Sequence, residues 1–507
     1  MHRKLDRGAV VKVVTMVIPI STLALAGSLG GGGAGFVAAA DESPGGVYGP
    51  RGVPVSDTEW CGTITMYAQE YTPNAEVANA LGLTELQTAA DDYTAEHECI
   101  DIEFIDDKFQ DNITTIRTKA AAGNLFDIFW AQWTSFNGQL PDGVAYDLAP
   151  SMAEPSPYAP GFDTWAESMN PRIIAETQAG NGASYNVNGD WVATGWYYNK
   201  DMFEEAGITA PPTTWSEFVE VCEKLQAAGL NPVSYVPYYG WLARPFLSNI
   251  YGEDYEAIAA LDGSPGFSTA DEAIATLNGM LSPTDERFNS WWPAFKAATD
   301  TWAPDFITAN PDLNFQAELD FQAGKSAMYF NGSYFSPKME AANVPYEWDV
   351  FPMPSVDQGT SEFATDIDPG DTVGGPGGAF QYAISTPRAN RSMEDEGKPA
   401  AVLDWLQFIT APDRAEAIIN ETGEFLPTFA GTQPLPQFEA VAGAIDQPSA
   451  TIRVGYTSPE LDAENQRIFG AYLAGQLTLE EANSQLATAM ETAAQAFVEA
   501  NGLQVDS

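Results

Sequence analysis

The stretch Gly195-Trp-Tyr-Tyr-Asn-Lys-Asp-Met-Phe-Glu-Glu-Ala-Gly207 decides the fold of this chain. Its aromatic first part predicts a short strand. The part that follows predicts a helix beginning near Asp201, whose side chain can accept from free backbone amides. Gly207 is placed at the end of this helix, since glycine adopts the left-handed conformation of a helix C-terminus without strain. After a Pro-Pro turn, Thr214 and Glu217 form the capping box of a second helix.

Together with Pro211-Pro-Thr-Thr-Trp-Ser-Glu-Phe218, this stretch closely resembles a signature of extracellular solute-binding proteins that feed ABC importers, especially sugar-binding ones. Ordered motifs similar to those of this family extend over roughly residues 60–500. The resemblance implies an α/β fold of the type II periplasmic-binding-protein kind, with two lobes, a ligand cleft between them and three interlobe crossings. It also implies a monomer that captures a sugar or oligosaccharide for membrane permease subunits, without catalysis and without a cofactor.

The resemblance also predicts how the chain is divided between the lobes. Residues 41–59 are rich in Pro, Gly, Ser and Asp and are interpreted as a flexible linker. The other predicted segments are an export signal at 1–40, lobe 1 at 60–188 and 373–424, and lobe 2 at 189–372 and 425–507, of which the last is a C-terminal helical part.

The first 40 residues have the pattern of an export signal. An apolar core runs from Val13 to Leu29, and Ala38-Ala39-Ala40 is a plausible cleavage site. An uncleaved membrane anchor is the alternative. No cysteine follows the apolar core directly, so the lipid-attachment box of many such binding proteins is missing. We expect the protein to be exported to the periplasm or the cell surface. The basic residues before the apolar core are Arg3, Lys4, Arg7 and Lys12.

The chain carries 70 Asp and Glu against 22 Lys and Arg, a formal net charge of −48. Such a surface repels nucleic acid and anionic membranes, so we expect no nucleic-acid partner. The acidic residues are dispersed, which favours a hydrated surface suited to salt water, where the field is screened within about 8–10 Å or less. Calcium binding is the alternative, but no Asp-x-Asp-x-Asp-Gly loop with a distal Glu occurs. Two histidines and scattered cysteines predict no transition-metal site.

Two of the three cysteines precede predicted strands. Cys61 comes before Gly62-Thr-Ile-Thr-Met-Tyr67, and Cys99 comes before Ile100-Asp-Ile-Glu-Phe-Ile105, with a helical pattern between them. This β-α-β unit predicts parallel neighbouring strands, which places both thiols at one edge of the sheet. An exported chain permits their oxidation, so a Cys61–Cys99 disulfide is predicted. Cys222, within a predicted helix, is interpreted as a buried free thiol.

The carboxyl ends of the lobe 1 strands are the first place to look for a ligand site, since ligands of open α/β sheets bind there. Asp127-Ile-Phe-Trp-Ala131 resembles a run in maltose-binding protein in which the tryptophan and the following loop touch the sugar. Trp130 and Trp133 are therefore predicted to form an aromatic platform, the alternative for each being a place in the core. Glu70, which follows the first strand, is assigned to the site as well.

The first crossing between lobes is predicted at Tyr185-Asn-Val-Asn-Gly-Asp-Trp191. In the family an acidic residue near this place often bonds sugar hydroxyls, and Asp190 matches it, with Trp191 beside it. A carboxylate accepts charge-assisted hydrogen bonds that are roughly twice as strong as neutral ones. A simple Asn-Gly-Asp turn is the alternative. The proline usual in this segment of the family is absent, which leaves the register open.

Lobe 2 supplies further candidates. Trp241 lies in an aromatic-rich region from Leu230 to Leu247, where stacking on pyranose faces and core packing of a helix start are both consistent with the composition. Phe321-Gln-Ala-Gly-Lys-Ser-Ala-Met-Tyr-Phe-Asn-Gly-Ser-Tyr334 resembles a family element whose loop presents Asn331 and Tyr334 to the cleft. Gly324-Lys-Ser is not a P-loop, since position 319 is not glycine.

The glycine-rich segment Thr372-Val-Gly-Gly-Pro-Gly-Gly-Ala-Phe-Gln-Tyr-Ala-Ile384 resembles the part of the family that re-enters lobe 1. Gly375 is predicted to lie close to ligand and to permit backbone angles closed to other residues.

A secreted carbohydrate-active enzyme is the rival interpretation, since two carboxylates about 5–10 Å apart would suffice for glycoside hydrolysis. No Gly-x-Ser-x-Gly or His-Glu-x-x-His motif is present. Binding of a polyol or a cationic solute is a further alternative.

Overall fold

The fold is described from a computed structural model, and every structural statement below refers to the residues that it describes. These are residues 51–505 apart from 57–58, 74–82, 106–111, 137–138, 180–181, 235–237, 264–266, 303–313, 369, 371–372, 444–450 and 456. The predicted export signal lies outside them, as do Tyr235 and much of the predicted linker.

The strands of the described residues form two larger sheets and one small one. Their bounds are β1 (Gly62–Tyr67), β2 (Ile100–Phe104), β3 (Ile128–Trp130), β4 (Val187–Asn188), β5 (Asp190–Trp191), β6 (Thr194–Asn199), β7 (Met328–Gly332), β8 (Trp348–Phe351), β9 (Gln381–Ile384) and β10 (Leu426–Pro427).

The α-helices of the described residues occur between and after these strands. Their bounds are α1 (Glu85–Glu96), α2 (Asn112–Ala122), α3 (Ala149–Met152), α4 (Pro171–Thr177), α5 (Lys200–Glu205), α6 (Trp215–Ala227), α7 (Tyr239–Ile250), α8 (Tyr255–Ile258), α9 (Thr269–Leu277), α10 (Trp292–Thr299), α11 (Asn314–Gln322), α12 (Ser336–Ala342), α13 (Lys398–Ile409), α14 (Pro412–Thr422), α15 (Glu439–Ala442), α16 (Pro459–Leu473) and α17 (Leu479–Asn501).

Lobe 1 is built on the sheet β2-β1-β3-β9-β4. β1 is parallel to β2 and β3, whereas β9 is antiparallel to both of its neighbours, β3 and β4. Ile64 and Met66 of β1 are fully buried, and Thr65 between them faces the other side, because successive strand residues point to opposite faces. The helices α1, α13 and α14 pack together beside this sheet.

Lobe 2 is built on the antiparallel sheet β7-β6-β8. Every residue of β6 is buried because both faces of the sheet are covered: Trp196 belongs to a large cluster on one face and Tyr197 to a smaller one on the other. The large cluster is aromatic, with Phe246 stacked on Trp291 at 4.3 Å between ring centroids. Trp291, Trp292 and Trp302 are all buried in this cluster.

The helix signals around residues 199–217 were correct with one exception. Thr214 and Glu217 form the predicted capping box of α6, and Gly207 has a φ of +70° beyond α5. The N-cap of α5 is Asn199, whose Oδ1 accepts from the Met202 N–H at 3.1 Å, and not Asp201. Asp201 lies inside the first turn because the helix begins two residues earlier than we predicted, at the end of β6.

Three segments cross between the lobes, as predicted. The first runs from β4 to β6 and contains β5, the second runs from β8 back to β9, and the third leads from α14 through β10 to α16. The C-terminal helix α17 packs along α9 and α16 in lobe 2. This confirms the two-lobe α/β architecture, whereas the residue-by-residue boundaries between lobes remain predictions.

The described end of the predicted linker is anchored on lobe 1. The Arg51 guanidinium lies 3.6 Å from the Asp147 carboxylate, and the Gly52 N–H donates to the Asp147 carbonyl at 2.9 Å. Val53 is 6% exposed and packs in the lobe 1 core. Residues 51–53 are therefore part of the folded lobe.

The predicted disulfide is present between Cys61 and Cys99, whose Cα atoms are 4.9 Å apart. Gly62 pairs with Ile100 in the parallel ladder, so the two cysteines stand side by side at the strand starts. Cys222 is a buried free cysteine in α6, as predicted, and burial raises the pKa of its thiol to about 12.

Reduction of this disulfide should lower the free energy of unfolding by about 3–4 kcal/mol, because the bond closes a loop with a sequence separation of 38 in the unfolded chain. The measurement is urea denaturation with and without reductant, after non-reducing mass spectrometry has identified the linked peptides. The double variant Cys61→Ser/Cys99→Ser should show no effect of reductant. A free Cys61 in exported protein would contradict the expectation.

Candidate functional site

The three crossings are hydrogen-bonded to one another where they pass between the lobes. β5 on the first crossing pairs antiparallel with β10 on the third. Val192 exchanges two backbone hydrogen bonds with Gly375 on the second crossing, at 2.9 and 3.0 Å. Gly189 donates to the Phe380 carbonyl at 2.9 Å and accepts from the Thr428 N–H at 3.0 Å. We call this three-segment arrangement the joint.

Asp190 lies at the centre of the joint and has no exposed surface. Its Oδ2 accepts from the Tyr71 hydroxyl at 2.8 Å and from the backbone N–H groups of Ala379 and Phe380 at 2.8 and 2.9 Å. Burial raises the pKa of Asp190 to about 6, and the hydrogen bonds oppose this rise. A Cβ on Gly378 would lie 2.4 Å from the carboxylate oxygens, so this approach needs glycine.

The predicted contact of Asp190 with a ligand hydroxyl does not fit this environment, because a side chain with no exposed surface cannot reach a ligand in this conformation. Trp191 is also fully buried, packed in a small cluster with Leu426, and the Arg172 guanidinium lies 4.7 Å from its ring centroid. Both residues of β5 therefore act within the joint, and the prediction of direct ligand contact is corrected for both.

The aromatic candidates of lobe 1 lie at the carboxyl edge of its sheet. Trp130 ends β3, is half-buried and packs between two core clusters. Trp133 follows in the 3₁₀ turn Trp133–Phe136, and its backbone N–H donates to Gln381 Oε1 at 3.0 Å. Because β1 and β3 are parallel neighbours, Glu70 beyond β1 lies at the same edge as these rings.

Glu70 is half-buried in the 3₁₀ turn Gln69–Tyr71 and accepts from the Gln69 side chain at 3.1 Å. Gln69 has a φ of +55°, a conformation uncommon for residues other than glycine. Backbone strain of this kind is concentrated at functional sites. No sequence pattern distinguished Gln69, since a strained φ angle depends on the packing around it.

Two of the candidates of lobe 2 are half-buried and one is buried. Trp241 on α7 is half-buried and meets the Tyr238 ring edge-on at 6.2 Å between centroids. Asn331 is 7% exposed and uses its side chain internally, donating to the Tyr329 hydroxyl at 3.1 Å. Tyr334 is half-buried, packs against the lobe 1 core, and so joins the lobes.

Gly375 lies in the joint and not at the surface of either sheet. Its φ is +154°, and no other atom lies within 4 Å of the place where a Cβ would stand. Its two hydrogen bonds to Val192 fix the second crossing against the first. The predicted hinge role of the glycine-rich segment agrees with this position, whereas contact of Gly375 with ligand remains a prediction.

One residue that sequence reasoning missed is Arg453, in the segment between α15 and α16. Its guanidinium carbon lies 5.8 Å from the Trp133 ring centroid. The signal in the sequence was weak: a cation between the apolar residues Ile452 and Val454, in a chain with few cations. Recognising it required knowing that residue 453 comes near residue 133.

Within the described ranges, no group of three or more His, Cys, Asp or Glu side chains is arranged to hold a metal ion. Over those same residues, no helix is long and apolar enough to cross a membrane.

The candidate site contains the half-exposed rings of Trp130 and Trp133, the carboxylate of Glu70 and the guanidinium of Arg453, where the two lobes meet. These groups suit non-covalent binding of a small ligand.

Two lobes joined by three paired crossings, with aromatic rings at the edge between them, define a two-lobe ligand-binding protein. The family model for bacterial extracellular solute-binding protein matches residues 80–416, and the chain belongs to this family. The search of curated proteins gave no match.

Solved structures with the same fold include three at 17% sequence identity. A family 1 extracellular solute-binding protein from Bifidobacterium longum subsp. infantis has a TM-score of 0.57, with 85% of this chain and 99% of that chain covered. A probable secreted solute-binding lipoprotein from Streptomyces coelicolor has a TM-score of 0.58, with 84% and 98% covered. A cyclic alpha-maltosyl-1,6-maltose binding protein from Arthrobacter globiformis has a TM-score of 0.56, with 88% and 100% covered.

The buried Asp190 should make stability fall as pH rises. Its folded pKa of about 6 exceeds its unfolded value of about 3.9, so the folded state binds more protons between these values. The resulting stability is fully present below about pH 4 and is lost by about pH 6, with a size of roughly 2–3 kcal/mol.

The variant Asp190→Asn keeps an acceptor for Tyr71 but cannot titrate. Urea denaturation of both proteins at pH 4 and pH 7 measures the difference in pH slope, which removes the contribution of the acidic surface common to both. Equal slopes would show that Asp190 is ionised in the folded protein as in the unfolded chain.

Proposed function

We propose that this protein is the extracytoplasmic substrate-binding component of an ABC importer and that it captures a sugar or oligosaccharide. The observation that carries the proposal is the pair of half-exposed rings, Trp130 and Trp133, at the carboxyl edge of the lobe 1 sheet. Indole rings stack on the apolar faces of pyranoses and supply a large contact area with little rotamer freedom. The Arthrobacter globiformis protein of the same fold is named for a cyclic maltosaccharide, which supports the ligand class.

Capture works by a shift in the population of conformations. A ligand that touches both lobes favours the closed arrangement by the difference between its affinities for the closed and the open state. The joint lets this movement occur without separating the crossings, because their mutual hydrogen bonds lie between the lobes. The closed form then docks as a monomer on membrane permease subunits. Export through the N-terminal segment places it outside the cytoplasm.

A secreted carbohydrate-active enzyme remains the rival function, and binding of a polyol or a cationic solute is a lesser alternative. The family consists of solute-binding proteins, which favours capture over turnover. Incubation of the purified protein with oligosaccharides, followed by chromatography of the products, separates the two. Cleavage products would overturn the binding proposal.

A thermal-shift screen of mono-, di- and oligosaccharides tests the ligand class. A ligand at one hundred times its Kd should stabilise the folded protein by about 2.7 kcal/mol, because it binds the native state alone. Polyols and cationic solutes serve as comparison sets. Stabilisation by one of these sets, with none by any saccharide, would contradict the proposal.

Trp130→Ala should abolish most affinity for the best saccharide while unfolding remains cooperative, because the ring supplies a stacking face. Calorimetric titration measures the affinity, and Trp130→Phe should retain part of it. Trp348→Ala is the matched control, since Trp348 is also a half-buried strand tryptophan but lies on β8 against Tyr197. A folded Trp130 variant with unchanged affinity would assign this ring to the core.

We expect salt to change the melting temperature, which depends on the acidic surface, much more than the affinity for a neutral sugar. Raising NaCl from 0.01 M to 1 M shortens the Debye length from about 30 Å to about 3 Å, so mutual repulsion weakens and the melting temperature should rise. Affinity for a neutral sugar should change far less, since it depends on short contacts. A steep loss of affinity with salt would indicate a cationic solute.

A further inference from the structure

Arg453 is held in place by its neighbours along the chain. Ile452 and Val454 are 0% and 1% exposed and belong to the lobe 2 core. The Ile452 N–H donates to Ser248 Oγ at 2.8 Å. The backbone around Arg453 is therefore fixed to lobe 2, while its half-buried side chain extends to the ring of Trp133 in lobe 1.

Trp133 is supported from behind in the same way. Gln381 has no exposed surface, accepts from the Trp133 backbone N–H at 3.0 Å through its side-chain Oε1, and accepts from the Ala131 backbone N–H at 3.2 Å through its carbonyl. The separation of 5.8 Å between guanidinium and ring is within the range of about 6 Å for a cation–π contact. Two side chains whose backbones are fixed in opposite lobes thus meet where the sugar platform is predicted.

We propose that Arg453 is a ligand-binding, specificity-determining residue of lobe 2. In the empty protein its guanidinium rests on Trp133, and in the loaded protein it donates to two adjacent oxygens of a sugar whose ring stacks on Trp133. This inference rests on the proposed function. The planar fork of a guanidinium matches a carboxylate or a pair of neighbouring hydroxyls, which a compact ammonium does not.

The groups around Arg453 bear on the charge of the ligand that the site can accept. Burial raises the pKa of Tyr255, the carboxylates of Glu176 and Glu256 raise it further, and the Arg453 guanidinium opposes this rise. Glu176 is paired with Arg172 at 2.7 Å. With a net charge of −48, the protein as a whole repels anions, and Arg453 supplies a local cation for a carboxylated sugar. Neutral and acidic sugars share the paired oxygens, and the experiment distinguishes them.

The test uses Arg453→Met, which keeps the apolar stem, and Arg453→Lys, which keeps the charge without the fork. Arg467→Met is the matched control, because Arg467 is an exposed arginine of lobe 2 paired with Glu464 on α16. Calorimetric titration with raffinose, maltotetraose, a chitin trisaccharide and trigalacturonate measures affinity. A second measurement labels the protein with 5-fluorotryptophan and identifies the Trp133 resonance by its loss in Trp133→Phe.

We expect Arg453→Met to weaken the best saccharide at least tenfold, Arg453→Lys to weaken it less, and Arg467→Met to stay within twofold of the natural protein. If the ligand is trigalacturonate, the loss should shrink as NaCl rises, whereas for a neutral sugar it should be independent of salt. In the ligand-free protein, Arg453→Met should shift the Trp133 fluorine resonance.

Binding of saccharide by Arg453→Met within twofold of the natural protein would overturn the role of Arg453 and leave the proposed function standing. A Trp133 resonance unmoved by both Arg453 substitutions would overturn the contact itself, even if a variant were unstable. Absence of binding to every saccharide by the natural protein would overturn the proposed function and this inference with it.

Discussion

The carboxylate of Asp190 is the constraint on which the two-lobe arrangement depends. It is carried by the first crossing and holds the second through two backbone N–H groups, while Tyr71 of lobe 1 donates to the same oxygen. Taking a carboxylate out of water is unfavourable, and the three donors offset only part of this cost, since the pKa of Asp190 is still raised to about 6. Because β10 pairs with β5 beside it, the third crossing is fixed by the same residues. One buried acid therefore ties the first and second crossings to each other and to lobe 1.

The candidate site lies beside this joint and takes its geometry from it. Gln381 begins β9 directly after the segment that Asp190 holds, and it supports Trp133. Arg453 belongs to the third crossing, so a change at the joint would move it relative to Trp133. A ligand that contacts both Trp133 and Arg453, as proposed, would bind the closed arrangement more tightly than the open one, and this difference in affinity is what drives closure.

Local signals in the sequence predicted the fold well. The capping box at Thr214 and the cysteines at two strand starts involve residues close in sequence or parallel neighbouring strands, so they could be found without a structure. The site was harder to predict. The role of Asp190 depends on Ala379 and Phe380, and that of Arg453 on Trp133, and contacts between such distant residues leave no local pattern. Asp190 has the carboxylate that a sugar-binding residue would need and was therefore predicted to contact ligand. In the structure this carboxylate is hydrogen-bonded within the joint.

The position of β9 has a consequence for the order in which the polypeptide can fold. β9 lies between β3 and β4, yet it begins 251 residues after the end of β3 and 193 residues after the end of β4, with all of lobe 2's sheet in between. A chain emerging from the ribosome or the membrane therefore cannot complete its first sheet until residue 384 has appeared. Until then β3 has one unpaired edge and β4 lacks its partner strand, and such unpaired strands invite mispairing. An export route that keeps the nascent chain unfolded until it is whole would suit this topology.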